Sequence, residues 1–172
     1  LGWTNTQLNG EENLEDLLIN YNNLKYTVEY YFDYKIDEEL TYTVEENKKG
    51  KEISTYTNKI KNGYKFEKVE NFPLIISEEE EKNVIKVYYE KDSTQTKEAS
   101  YKVEYYKDAV LSDTETITET VWVNDTQINV DASKINITDK YIGYKFDFTD
   151  PSTIPTEIEE NGTIKVYYVK DN

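Results

Sequence analysis

The side chains best placed to do chemistry in this chain are carboxylates and phenols. It carries 35 Asp and Glu and 17 tyrosines, with no histidine, cysteine or methionine. That inventory removes disulfides, thiolate metal sites, cysteine nucleophiles and every mechanism that moves a proton through imidazole. What remains to the acids is paired-carboxylate hydrolysis, and the densest cluster is the run EEEE at 78–81. A run of like charges at a turn is more simply a solvated loop. It also lacks the spaced pattern of a calcium-binding EF-hand loop. Nucleophile-elbow, zincin, phosphate-loop and dinucleotide motifs do not occur. The expectation is therefore a protein that is not an enzyme and uses no cofactor or metal.

The phenols are more informative, because they come in pairs. VEYY occurs at 28–31 and again at 103–106, and IKVYY at 85–89 and 164–168. Successive side chains of a strand point to opposite faces, so one tyrosine of each pair turns inward and its neighbour outward. Alternation with the flanking apolar residues predicts Tyr30, Tyr89, Tyr105 and Tyr168 in the core. Tyr31, Tyr88, Tyr106 and Tyr167 then stand on an otherwise polar face. If the first and last strands of a sheet are parallel neighbours, these four form two aligned pairs. Two readings follow for them. The simpler is cross-strand aromatic packing; the functional one is a platform on which sugar rings stack.

The strands that position these residues belong to a repeat. The words YTVEYY, GYKF and IKVYY of residues 26–92 return, in order, as YKVEYY, GYKF and IKVYY in residues 101–172. Between them, 93–100 is polar and reads as a linker. Further strands are expected at 40–44 and 116–123, with Gly63 and Gly143 opening a third strand in each repeat. Asn161-Gly162 predicts a tight hairpin joining PTEI at 155–158 to the last strand. The stretches 51–62 and 126–142 leave room for a short helix crossing one sheet face. In residues 1–25, Leu14, Leu17, Leu18 and Tyr21 follow helical spacing behind an acidic first turn, which predicts a short N-terminal helix.

Charge narrows the partners. All 20 basic residues are lysines and the formal net charge is −15, which repels nucleic acid and anionic membranes. No apolar run is long enough to cross a bilayer. A polar, acidic surface resists self-association, so a monomer is expected. The triplets beginning at Asn124, Asn136 and Asn161 match the glycosylation sequon. In a chain without disulfides a lysine-to-asparagine isopeptide crosslink is also conceivable.

The shared frame consists of Tyr-x-Val-x-Tyr, a polar hairpin, Gly-Tyr-Lys-Phe, a proline-containing link, an acidic turn (SEEEEKN or EIEENG) and Ile-Lys-Val-Tyr-Tyr. It resembles the mucin-binding protein (MucBP) repeats of Gram-positive surface proteins, over both repeats. The resemblance implies a mostly β, α+β fold: two tandem β-grasp or ubiquitin-like mixed sheets. It also implies a non-enzymatic fragment of an extracellular, cell-wall-anchored adhesin, attached through parts of its parent outside this sequence, with mucin or other glycans as partners. A purely structural spacer is the competing function. The resemblance carries over no binding residue, so Tyr31, Tyr88, Tyr106 and Tyr167 are the glycan-binding candidates on alternation alone.

Overall fold

The computed structural model describes residues 23–172, so the expected N-terminal helix lies outside the described residues. The chain divides into two compact units after Asp92. The first holds β1 (Leu24–Phe32), β2 (Lys35–Ile36), β3 (Tyr42–Asn47), β4 (Glu52–Ile53), β5 (Tyr64–Glu70), β6 (Leu74–Ile75) and β7 (Val84–Lys91). The second holds β8 (Thr96–Lys107), β9 (Val110–Trp122), β10 (Gln127–Asn129), β11 (Tyr144–Asp150), β12 (Glu157–Glu159) and β13 (Thr163–Lys170). The protein is mostly β, built from mixed sheets.

The two main sheets share one plan. In the first, strands run β2-β1-β7-β5, with β3 also paired to β1; in the second the order is β11-β13-β8-β9. The first and last long strands of each unit are parallel neighbours, β1 with β7 and β8 with β13. The strand opened by Gly63 or Gly143 lies antiparallel on the far side of the last one. Both glycines adopt positive φ, where a Cβ would be strained. Even the irregularities repeat: β5 bulges between Phe66 and Lys68, and β11 between Phe146 and Phe148.

The units differ along the partner of the first strand. In the second, β9 pairs with β8 along nearly its whole length. In the first, the corresponding stretch is broken into β2 and β3 by a turn at 37–41. There the Asp37 carboxylate accepts from the backbone N–H of Glu39 (3.0 Å) and Leu40 (3.2 Å) and pairs with Lys61. Each hairpin turns on two residues of positive φ, Asp33-Tyr34 and Asp108-Ala109, the geometry that matches strand twist.

Three expectations need correction. The linker at 93–100 is shorter than its composition implied, because β8 begins at Thr96 and buries Ala99. A single buried alanine was too little apolar signal to mark a strand. No crossing helix forms at 51–62 or 126–142; these stretches hold only the short strands β4 and β10, one 3-10 turn at Ala132–Lys134, and irregular chain with bends and turns. Asn161-Gly162 does not close a hairpin onto the last strand. β12, which contains Ile158, pairs instead with β10. Asn161 has positive φ, but Gly162 is needed for space: an added Cβ would lie 2.6 Å from Ile158 Cγ1 and 2.9 Å from the Glu159 carbonyl oxygen. Gly162→Ala should therefore cost the second unit about 1–3 kcal/mol through overpacking, read as a lowered urea midpoint.

The inward tyrosines explain how a sheet face is covered without a helix. Tyr30, Tyr89, Tyr105 and Tyr168 are buried among Val28, Ile85 and Val87 in one core and Val103, Ile164 and Val166 in the other. Their hydroxyls reach the crossing segments. Tyr30 donates to the carbonyl of Thr57, and Tyr89 donates to Asn58 while accepting from the backbone N–H of Lys59 at 3.0 Å. Tyr168 donates to the Asn136 carbonyl at 2.8 Å, and Tyr105 accepts from the Asn136 N–H at 3.0 Å. A helix satisfies its own backbone; these segments cannot, and buried phenols supply the partners.

These phenols also set the pH dependence of stability. Desolvation by burial raises the pKa of Tyr30, Tyr89, Tyr105 and Tyr168 above the ordinary phenol value. Burial and the Glu29 hydrogen bond push Tyr31 up to about 12. A group that binds its proton more tightly when folded stabilises the fold below its unfolded pKa. That contribution is lost as pH rises through the folded value. Without histidine, stability should be nearly flat from about pH 6 to 9 and fall steeply above about 10. Thermal melting across that range checks it; a transition near neutrality would contradict it.

Candidate functional site

The outer face of each sheet carries two adjacent rungs that run across the strands. In the first unit Tyr31 is the register partner of Ile36 on one side and Tyr88 on the other, and Tyr88 is the partner of Lys68. In the second, the same positions are Leu111, Tyr106, Tyr167 and Phe148. The next rung is acid, lysine, acid: Glu29, Lys86 and Glu70 in one unit, Glu104, Lys165 and Asp150 in the other. Tyr31 donates to Glu29 at 3.1 Å and Tyr106 to Glu104 at 3.0 Å, tying the two rungs together.

All four tyrosines picked from alternation are thus on this face, half-buried and brought together in twos. Tyr31 and Tyr88 have ring centroids 4.9 Å apart with planes 18° from parallel; Tyr106 and Tyr167 are at 4.7 Å and 18°. Near-parallel rings at that separation overlap face to face. Each of these rings spends one flat face on its partner. The flanking residues decide what stays open. Phe148 extends the second stack, at 4.4 Å and 13° from Tyr167, and is 49% exposed on an edge strand. In the first unit Lys68 occupies that place, its ammonium 4.9 Å from the Tyr88 centroid and 3.3 Å from Glu70. Tyr34 leans against Tyr88 at 5.7 Å and donates to Glu67.

Sequence reasoning missed Phe148 and Lys68 because the bulge shifts the alternation of β5 and β11 by one residue. In IGYKFDFTD strict alternation puts Phe146 and Phe148 on one face. The bulge turns Phe146 toward Tyr168 inside and Phe148 toward Tyr167 outside. The matching GYKF words carried the signal of a common strand but not of its bulge.

The other candidate chemistries resolve into structure. In the acidic run, Glu78 pairs with Lys49, Glu79 with Lys82, and Glu80 accepts the backbone N–H of Lys25 at 2.7 Å. Three of the four carboxylates of the run thus have separate partners, as in a solvated, ion-paired turn. Among the described residues no group of three or more acidic side chains is placed to hold a metal ion. Lys140 lies 3.0 Å from Asp113 and 3.3 Å from Glu115. Burial works against its charge, but the hydrogen bonds to both acids prevail and raise its pKa, while Lys140 lowers that of Asp113. Both shifts favour the charged forms, as in an ion pair. Asn136 is committed as well, its Oδ1 accepting from the Thr138 N–H at 2.9 Å and from Tyr168 at 3.1 Å.

With this geometry in view, comparison with known proteins adds little. No protein family matches the chain, and no curated protein does. Among solved structures, the type 2 repeat of the mucus binding protein MUB from Lactobacillus reuteri matches at 13% identity, covering 86% of this chain and all of that one, with a TM-score of 0.26. A likeness of that size establishes neither a family nor a shared fold. No helix among the described residues is long and apolar enough to cross a membrane.

Proposed function

We propose that the chain is a non-enzymatic pair of tandem repeats from an extracellular surface adhesin, β-grasp-like in strand plan, that meets neutral glycans such as those of mucin through its outer sheet faces. The observation that carries this reading is the repeated pairing of an aromatic rung with an acid–lysine–acid rung. Sugars have an apolar face of C–H groups rimmed by hydroxyls, and a surface with ring carbons on one line and hydrogen-bonding groups on the next matches that division. The order of sequence words resembling MucBP repeats supports the same assignment. The parent would be anchored to the Gram-positive cell wall by parts beyond this sequence.

Binding of purified mucin to the immobilised fragment tests the proposal. Saturable binding is expected, lost when both rungs are replaced by alanine and threonine in a variant that keeps its far-UV spectrum. Binding no greater than to that variant would contradict it. A second reading, a spacer that only sets reach, is favoured by the mutual stacking of the tyrosine faces, and it predicts that negative result.

A further inference from the structure

We infer that glycan contact is confined to one end of one stack: the free ring face of Phe148 beside the Asp150 carboxylate, in the second unit only. This rests on the glycan reading above and locates it. A sugar stacks on the flat of a ring. Tyr167 lies between Tyr106 and Phe148 and has neither face free, while Tyr31, Tyr88 and Tyr106 each give one face to a tyrosine and have a lysine ammonium 4.9 to 5.9 Å from the ring centroid. Phe148 is different. One face is stacked on Tyr167, and the other looks out from β11, which is the edge strand of its sheet.

Two residues further along the same strand, and on the same outer face, Asp150 is exposed and pairs in register with Lys165. Its carboxylate is an acceptor for sugar hydroxyls at the side of the ring. The corresponding place in the first unit is closed by its own residues. Lys68 replaces the phenylalanine, lies over the Tyr88 ring at 4.9 Å and holds Glu70 at 3.3 Å, so both the aromatic face and the acceptor are already engaged. The occupant is a neutral pyranose. An anionic sugar would meet Asp150, Glu104 and a chain of net charge −15, with Lys165 alone in that rung to offset them. Lys68 and Phe148 are then the residues that make one repeat silent and its copy competent.

A titration of the whole fragment with cellotetraose, chitotetraose, lacto-N-tetraose and 3′-sialyllactose, followed by amide and ring NMR shifts, tests this. At least one neutral probe should bind at a single site that shifts Phe148 and Tyr167. Phe148→Lys should weaken it about tenfold, the loss expected for one ring stack. Phe148→Ala guards against an effect of the new charge and should do the same. Lys68→Phe should open a second site at Tyr88. Sialyllactose should bind more weakly than the neutral probes.

Undiminished binding by both Phe148 variants, or equal binding of sialyllactose, would overturn the inference while leaving a glycan-binding adhesin intact. So would mucin binding with no response to any neutral probe. If mucin and every oligosaccharide fail to bind, the glycan reading falls and the inference with it.

Discussion

Tyr89→Ala should destabilise the first unit by about 3–5 kcal/mol, whereas Tyr31→Ala should cost about 1 kcal/mol or less. Both remove a phenol from the same sheet. Tyr89 is 1% exposed, stacked on Phe32 at 4.9 Å and close to Tyr30, and its hydroxyl holds Asn58 and the backbone of Lys59. Its loss leaves a ring-sized cavity and orphans the polar groups of the crossing segment. A small domain has about 5–15 kcal/mol in total, so the variant should be near the edge of folding. Tyr31→Ala instead removes one ring of an outer stack and a partly buried bond to Glu29. Urea unfolding followed by circular dichroism on both variants checks the contrast. Equal losses would mean that the two faces are not divided as described.

The second large effect comes from a polar residue. Asn83 is 1% exposed, and its side chain closes the turn before β7 by accepting from the Ser77 N–H at 2.8 Å and donating to the carbonyls of Ser77 (2.8 Å) and Lys25 (3.1 Å). Asn83→Leu keeps roughly the volume and leaves three partly buried backbone groups without their partner. At about 1–3 kcal/mol for each buried group left unsatisfied, partly relieved by relaxation, a loss of about 3 kcal/mol is expected in the same urea titration. The backbone of this position is used identically in both units: the carbonyl of Asn83 accepts from the Thr27 N–H and that of Gly162 from the Lys102 N–H, each at 2.9 Å. What differs is the filling. Ile158 crowds Gly162, leaving no room for a side chain, whereas in the first unit the asparagine amide does the closing.

How far the sequence could be read depends on which forces wrote each feature. Period-two alternation is imposed by the pleat, so Tyr30 against Tyr31 and Tyr89 against Tyr88 divided correctly between the faces, whereas the alignment of Tyr31 with Tyr88 needs a parallel pairing that alternation alone does not give. Features that depend on an interruption of that period were hidden. The bulges of β5 and β11 move Lys68 and Phe148 to the outer face without any change in composition. The crossing segments were mistaken for room for a helix. They hold Ile53 and Ile135 in the core but take their backbone partners from tyrosines far away in sequence, and no local pattern announces such a bond. Asn161-Gly162 carried a turn signal whose cause was steric, set by an isoleucine in another small ladder.

The division of each doubled tyrosine into a core ring and an outer, stacked ring underlies both the stability account and the placement of the glycan site. Ring-to-ring nuclear Overhauser contacts, in a sample with labelled tyrosine and phenylalanine rings, test it most directly. Contacts of Tyr31 with Tyr88, and of Tyr167 with both Tyr106 and Phe148, are predicted, with none from Tyr31 to Phe32 or Tyr89. A one-residue slip of register would exchange the faces. Contacts from Tyr31 to Tyr89, or Phe148 touching Tyr168 in place of Tyr167, would contradict the account.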